Sequence, residues 1–259
     1  MKKKTMITIL LLIFCYSFTA ISAEKVPSQS GPMGRRSGFH LSLGAGVAMK
    51  NNIRRDNTYN NTHGDLFFSP IPLLQFGWGP LSFGGQGLKA DLYGNRSWGI
   101  YTNIDRERQR YHGPGMDDRR DSWFWGIGGR YGKFSAHFAK DIQGRSKGKK
   151  LTVNYAEMYM IRQKFFTRSS IGLECFDKNY ADYYYGVKAT EANSWRNEYH
   201  PSRFCQPGMA FAPMYKMDEH VTFISALTAK WLSSEIRHSP TTKGGNVEAG
   251  LIVGGLYQF

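Results

Sequence analysis

Ser135 and His137 are the pair of residues whose types and spacing come nearest to nucleophilic catalysis. Residues two apart on a β-strand point to the same face, so the histidine could accept the proton of the serine hydroxyl. A working site also needs a carboxylate that orients the histidine, and the sequence assigns none to this pair. A hydrolase therefore remains an alternative function, and no catalytic residue is predicted.

Metal and cofactor chemistry has no support in the spacing of the ligand-type residues. The histidines are scattered and form no Cys/His cluster with metal-ligand spacing; they are His40, His63, His112, His137, His200, His220 and His238. The stretch "GIGGRYG" (126–132) is only superficially like a dinucleotide loop, because the glycine spacing is wrong and no helix follows. We predict no metal and no cofactor, and we expect these glycines to thin the wall of a sheet near a bulge or turn.

Two cysteines, Cys175 and Cys205, lie beyond the N-terminal apolar stretch that contains Cys15. They bracket an aromatic and polar segment, as they would at the facing ends of two strands joined by a loop. In an oxidising compartment they could form a disulfide. The alternative is two unpaired thiols.

The elements that would position these residues follow a two-residue period from Phe39 onwards. Stretches of about ten residues alternate apolar with small or polar side chains, which is typical of transmembrane β-strands. Helical spacing is not sustained beyond the N-terminal stretch, and long polar loops are predicted at 50–64, 105–121, 179–207 and 233–245. We count eleven strands, whereas bacterial single-chain barrels have an even number, so one strand is missed between residues 50 and 121. We predict an all-β antiparallel barrel of twelve strands, with ten as the alternative.

The N-terminal stretch has the layout of a secretory signal peptide. Three lysines at 2–4 precede an almost wholly apolar segment at 6–20, and small residues follow. Cleavage is predicted after Ala23, so residues 1–23 are a signal peptide, 24–38 a flexible lead-in and 39–259 the barrel. The apolar segment is too short to span a membrane comfortably, so we expect an exported protein.

The stretch "VEAGLIVGGLYQF" (247–259) indicates what surrounds the barrel. Every second residue from Val247 to Phe259 is uncharged, and Tyr257 and Phe259 are aromatic. Aromatic residues make up 15% of the chain and concentrate at predicted strand ends, where their rings suit the lipid headgroup level. Because every backbone amide must be paired in hydrocarbon, the sheet must close on itself. A transmembrane barrel is therefore favoured over a soluble β-sandwich.

Basic residues are the clearest functional signal in a chain with a formal net charge of +14. Arginine guanidinium groups match phosphate oxygens two at a time, and three clusters in predicted loops are expected to contact lipopolysaccharide or another anionic surface ligand: Arg54, Arg55, Arg106, Arg108, Arg110, Arg119 and Arg120. A fourth cluster, also assigned to a loop, contains Arg145, Lys147, Lys149 and Lys150. The alternative is solvated loop charge, and the exported location excludes nucleic acid as a partner.

Several stretches resemble the MipA/OmpV family of Gram-negative outer-membrane proteins. They are "LGAGVAM" (43–49), "PIPLLQFGWGPLSFGGQGL" (70–88), "GIGGRYGKFSAHFAKDIQGRSKG" (126–148), "YADYYYGV" (180–187), "WLSSEIRHSP" (231–240) and "GGLYQF" (254–259). The resemblance covers about residues 43–259. It departs from the family at the Asn- and Arg-rich segment 50–64 and in the two cysteines.

The resemblance implies an integral outer-membrane protein without an established catalytic site. Members are linked to scaffolding of murein-synthesising and murein-cleaving enzymes, to adhesion and to porin-like permeability. We therefore expect a structural or interaction barrel, with a channel for small anionic solutes as the alternative and a lipid-modifying hydrolase as the second. Tyr257 and Phe259 resemble the signal read by the barrel-assembly machinery. Candidate residues of a periplasmic docking rim are Trp78, Tyr131, Lys133, Asp218 and Glu219.

Overall fold

A computed structural model describes residues 39–58, 65–85, 87–95 and 97–259. The predicted signal peptide, its cleavage site at Ala23 and the lead-in 24–38 lie outside these residues. Within the described ranges, no helix combines the length and the apolar character needed to cross a membrane.

Twelve antiparallel strands form one closed barrel, in which each strand pairs with its sequence neighbours and β1 pairs with β12. The strands are β1 (His40–Asn51), β2 (Leu66–Trp78), β3 (Leu81–Gly84), β4 (Gly87–Gly94), β5 (Trp98–Glu107), β6 (Ser122–Tyr131), β7 (Phe134–Asp141), β8 (Lys149–Arg162), β9 (Phe165–Phe176), β10 (Phe204–Lys216), β11 (Val221–Trp231) and β12 (Val247–Gln258). The predicted all-β barrel of twelve strands is confirmed. The region from 50 to 121, where one strand was missed, contains the short strands β3 and β4.

Alternation along each strand separates an apolar outer face from a polar lumen. Across the β1–β12 seam Leu43 pairs with Tyr257 and Val47 with Val253, and all four side chains are exposed on the outside. Outward aromatic residues form a belt near each end of the barrel: Trp78, Trp98, Tyr131, Phe134 and Tyr257 at one end, and Trp123, Trp125 and Trp231 at the other.

The two ends of the barrel differ in the length of their connections. Tight turns join β2–β3, β4–β5, β6–β7, β8–β9 and β10–β11 at the end where β1 begins and β12 stops, which we call the turn end. The opposite loop end carries longer segments, whose described parts are 52–58, 65, 108–121, 142–148, 177–203 and 232–246. Barrels of this class place short turns in the periplasm and long loops outside, so we assign the loop end to the cell exterior.

Three sequence assignments were wrong. The loop end contains helices α1 (Lys178–Tyr185) and α2 (Ser234–Arg237), where the sequence predicted no helix. Lys149 and Lys150 begin β8 instead of lying in a loop, and Arg106 lies in β5. The helices were missed because each is short and lies in a polar stretch. The other two errors arise because β5 and β8 continue past the apolar band, where sequence alternation no longer marks a strand.

Candidate functional site: a capped lumen between two rims

Helix α1 closes the loop end of the lumen. It begins at the N-cap Asp177, whose side chain accepts a hydrogen bond from the Tyr180 N–H at 3.0 Å. Its buried face packs on inward-facing aromatic residues of three strands, and the Phe176 and Tyr180 rings stack 4.1 Å apart. We call this buried cluster the cap: Ile53, Phe124, Ala139, Phe176, Tyr180, Ala181, Tyr184, Tyr185, Phe204, Leu232 and Ile236.

The buried side chain of Arg54 contacts the cap and neighbouring loop segments. Its side chain donates to the Tyr184 carbonyl at 2.9 Å and to Thr241 Oγ1 at 3.1 Å. The guanidinium carbon lies 4.2 Å from the Tyr185 ring centroid and 5.0 Å from that of Tyr111, within cation–π range. One arginine thus joins the loops that follow β1, β5, β9 and β11.

A second buried arginine holds the loop after β5 against the loop after β9. Arg119 donates to Glu191 at 2.7 Å, and both side chains are 4% exposed. Burial alone would raise the pKa of Glu191, but hydrogen bonds from Arg119 and from the backbone of Lys188 and Asp117 lower it on balance. The carboxylate therefore stays ionised and the pair remains a charged link.

Ion pairs cross the lumen beneath the cap. Lys150 on β8 contacts Asp105 and Glu107 on β5 at 2.5 and 3.3 Å, which spans two intervening strands. Lys230 contacts Glu174 at 2.6 Å. These pairs and Lys50–Glu248, at 3.8 Å, form what we call the charged layer. The Lys150 ammonium also lies 4.9 Å from the Phe124 ring centroid, so the layer lies directly under the cap.

Ser135 and His137 share the inward face of β7, as the sequence predicted. The described structure contains no hydrogen bond between these two side chains. His137 Nε2 is buried and has no hydrogen-bond partner among the described residues. The His137 ring stacks on Tyr101 with centroids 6.0 Å apart. Side chains at Gly126 and Gly128 would collide with the His137 and Tyr101 rings. The glycines of "GIGGRYG" therefore make room for two lumen rings, which the sequence had not suggested.

The segment 144–148, "GRSKG", matches the G-x-S-x-G pattern of a hydrolase nucleophile elbow, and sequence reasoning missed it. Ser146 is buried in the loop after β7, where its hydroxyl donates to Asp141 at 2.8 Å and accepts from the Gly148 N–H at 3.1 Å. The segment does not lead into a helix. Ser146 therefore has a loop-stabilising role.

Among the described residues, no three His, Cys, Asp or Glu side chains are arranged to hold a metal ion.

The structure divides the arginines that were expected to contact lipopolysaccharide. Arg54 and Arg119 are 5% and 3% exposed, so their assignment to surface contact was wrong, because both charges are used inside the loop assembly. Five lie exposed at the loop end, where contact with an anionic surface stays a prediction: Arg55, Arg106, Arg108, Arg110 and Arg120. Among these, Arg106 pairs with Asp121 at 2.8 Å.

Cys175 and Cys205 are joined in a disulfide. They are directly opposite each other in the β9–β10 register, so the bond lies at the base of the 177–203 loop, on the outward face of the barrel.

The turn end carries the residues expected at a docking rim. Trp78 and Tyr131 are strongly exposed but point outward, in the aromatic belt. Lys133 pairs with Glu157. Asp218 accepts from the His220 and Val221 N–H groups, each at 2.8 Å, and these bonds lower its pKa. The charged turn residues Lys133, Asp218 and Glu219 face solvent, and we call them the turn rim.

A closed antiparallel barrel with an apolar outer face, two aromatic belts and a polar lumen is an outer-membrane β-barrel protein. Residues 43–259 match the family model described as "MltA-interacting protein MipA". The chain belongs to the MipA family, as the sequence motifs indicated.

Relatives of known name are outer-membrane proteins. The chain is 29% identical to outer membrane protein OmpV of Vibrio cholerae over 138 residues, which cover 51% of this chain and 52% of OmpV. It is 26% identical to the putative outer membrane protein YiaT of Escherichia coli K12 over 212 residues, which cover 77% and 83% of the two chains. The match thus spans about half the length of OmpV.

A solved outer membrane channel from Pseudomonas putida F1 is similar with a TM-score of 0.43 and 9% identity, covering 91% of this chain and 100% of that one. The MipA family match and the named relatives OmpV and YiaT locate this protein in the outer membrane. These relatives are named as membrane proteins and not as enzymes.

Proposed function

We propose that this protein is a plugged outer-membrane barrel that docks other proteins and does not conduct solutes. The observation that carries the proposal is the cap, in which Tyr180 and Tyr184 are buried inside the loop end of the lumen. A solute path would have to break this aromatic cluster and then the Lys150 bridges below it. The barrel therefore offers its two rims, and not its lumen, to partners.

The turn rim is the end that would meet periplasmic proteins. The family description names an interaction with MltA, and we assign a murein-cleaving enzyme, together with murein-synthesising partners, to this rim. Trp78 and Tyr131 anchor the aromatic belt, which leaves the charged side chains of Lys133, Asp218 and Glu219 to contact a partner. Charges at an interface rim act mainly on association rate and partner choice.

The docking test compares two double variants, one with reversed charges at the turn rim and one with reversed charges at the loop end. Lys133→Glu with Glu219→Lys reverses two turn-rim charges at constant net charge, and we expect several-fold weaker binding of a purified MltA-type murein hydrolase. Asp65→Lys with Lys243→Glu is the matched control, because it makes the same exchange at the loop end, where these side chains pair at 3.3 Å. Equal binding by both variants and the unaltered protein would contradict docking at the turn rim.

Conductance separates the plugged barrel from the channel alternative. Purified protein in a planar lipid bilayer should show no channel events, because the cap and the charged layer fill the lumen at the loop end. Regular conductance steps from the unaltered protein, with anion preference, would favour the channel instead.

A further inference from the structure

A groove of about 520 Å³ lies at the loop end of strands β7 to β10, outside the lumen. Its floor consists of outward side chains that are apolar, namely Phe138, Leu151 and Cys175. Its upper edge consists of exposed cations, namely Lys149, Lys178 and Arg203. An apolar floor beneath a basic edge is the pattern that an anionic amphiphile requires.

The strand register places this groove at the outer headgroup level. Trp125 of the outer aromatic belt pairs with Lys140, and Lys140 pairs with Lys149. Belt tryptophans lie where hydrocarbon meets headgroups. The floor residues Phe138 and Leu151, themselves register partners, lie deeper by one outward position and so face the acyl chains.

Among the described residues, the three cations at the edge of the groove have no carboxylate partner. Lys140 and Lys149 lie directly opposite each other on neighbouring strands, an arrangement of like charges that destabilises a sheet. Within the described ranges, no carboxylate lies within 4.0 Å of the charged ends of Lys149, Lys178 and Arg203. Asp177 lines the groove, but its Oδ1 accepts the Lys149 and Tyr180 N–H groups, both at 3.0 Å. An external anion would relieve the repulsion.

We propose that this groove binds lipopolysaccharide of the outer leaflet, with phosphates among the three cations and an acyl chain on the apolar floor. Arginine and lysine at the headgroup level bind phosphate by charge-assisted hydrogen bonds. Three cations without a carboxylate partner in the described part of the chain suit the two phosphates of this glycolipid better than the single phosphate of a phospholipid. These residues differ from the exposed loop arginines considered above. The proposal rests on the outward placement of the loop end and not on docking at the turn rim.

Three charge-matched variants of the full chain, folded in detergent, test the proposal. The groove variant is Lys149→Gln, Lys178→Gln and Arg203→Gln. The loop variant is Arg55→Gln, Arg108→Gln and Arg110→Gln, and the turn-end control is Arg162→Gln, Lys164→Gln and Lys216→Gln. Retention of deep-rough lipopolysaccharide is measured by native mass spectrometry, and a gel shift on boiling verifies that each variant folds.

We expect the groove variant to bind lipopolysaccharide about ten-fold more weakly or worse, while the other two variants match the unaltered protein. Enzymatically dephosphorylated lipopolysaccharide should also bind weakly to the unaltered protein. The proposal is overturned if the folded groove variant retains lipopolysaccharide normally or if the loop variant alone loses it. Equal competition by phosphatidylglycerol would equally overturn it, because a single phosphate would then suffice. Murein-hydrolase binding is unaffected by any of these outcomes, so the two proposals fail separately.

Discussion

At the loop end, adjacent residues of the same type can have different structural roles. Arg54 and Arg55 are adjacent basic residues, yet the first is buried between tyrosine rings and the second is exposed. The sequence analysis assigned both arginines to the surface, because the hydrogen-bond partners of Arg54 are 130 and 187 positions away in the chain. Burial of this kind depends on tertiary contacts that no local pattern encodes.

Arg54→Ala should loosen the cap, because it removes the hydrogen bonds to Tyr184 and Thr241 and leaves both acceptors buried. We expect a loss of about 2–3 kcal/mol in local stability, measured as faster hydrogen exchange of the 177–203 loop. Arg55→Ala is the matched control and should leave exchange unchanged. Equal exchange in the two variants would show that Arg54 does not hold the cap.

His200 gives the same loop a pH dependence. Its ring nitrogens contact Asp182 at 2.8 Å and Glu198 at 2.9 Å, and these hydrogen bonds raise the pKa of the imidazole above 6.5. Because the pKa is higher in the folded loop, stabilisation is complete below about pH 6.5 and is lost as the pH rises through the raised value.

The measurement is hydrogen exchange of α1 at about pH 6 and about pH 8, corrected for intrinsic rates. The unaltered protein should be better protected at the lower pH, and His200→Gln should remove the difference. The effect is small, since the side chain is about half exposed and screened by solvent. A difference that survives in the variant would assign the pH dependence to another group.

At the scale of elements, the strands were predictable and the cap was not. Period-two alternation is a local signal, so it identified eleven strands and the outward face of β12. It missed one strand between residues 50 and 121, where β3 and β4 are short. Helix α1 has only eight residues, and its buried tyrosines cover two turns within a polar stretch, which is too short for helical spacing to be distinguished from a loop. The ion pairs of Lys150 were missed because its partners, Asp105 and Glu107, lie on β5, which does not neighbour β8 and meets it only inside the closed barrel.

The disulfide fixes the base of the loop that carries α1. Cys175 and Cys205 are 30 positions apart, and closing such a loop contributes up to about 3–4 kcal/mol in the chain-entropy model. Cys175→Ala with Cys205→Ala should lower the free energy of unfolding by up to this amount, followed by tryptophan fluorescence during urea unfolding from lipid vesicles. Reductant should bring the unaltered protein to the level of the variant and leave the variant itself unchanged.

At the scale of the whole molecule, closure of the sheet determines resistance to detergent. Each strand has a partner on both sides, including β1 with β12, so no strand edge is left to open in hydrocarbon. In outer-membrane fractions, the unboiled protein should migrate differently from the boiled protein on an SDS gel. Identical migration, with the protein in the soluble periplasmic fraction, would contradict the membrane barrel.

The long sequence separations within the cap impose an order on assembly. Arg54 follows β1 and Thr241 precedes β12, so the 3.1 Å contact between them forms only when the first and last strands have met. Contacts between distant positions carry a loop-closure cost until the intervening chain is in place. Folding of the outer loops is therefore the final step of biogenesis, and the moment at which these loops become resistant to protease reports that the barrel seam has closed.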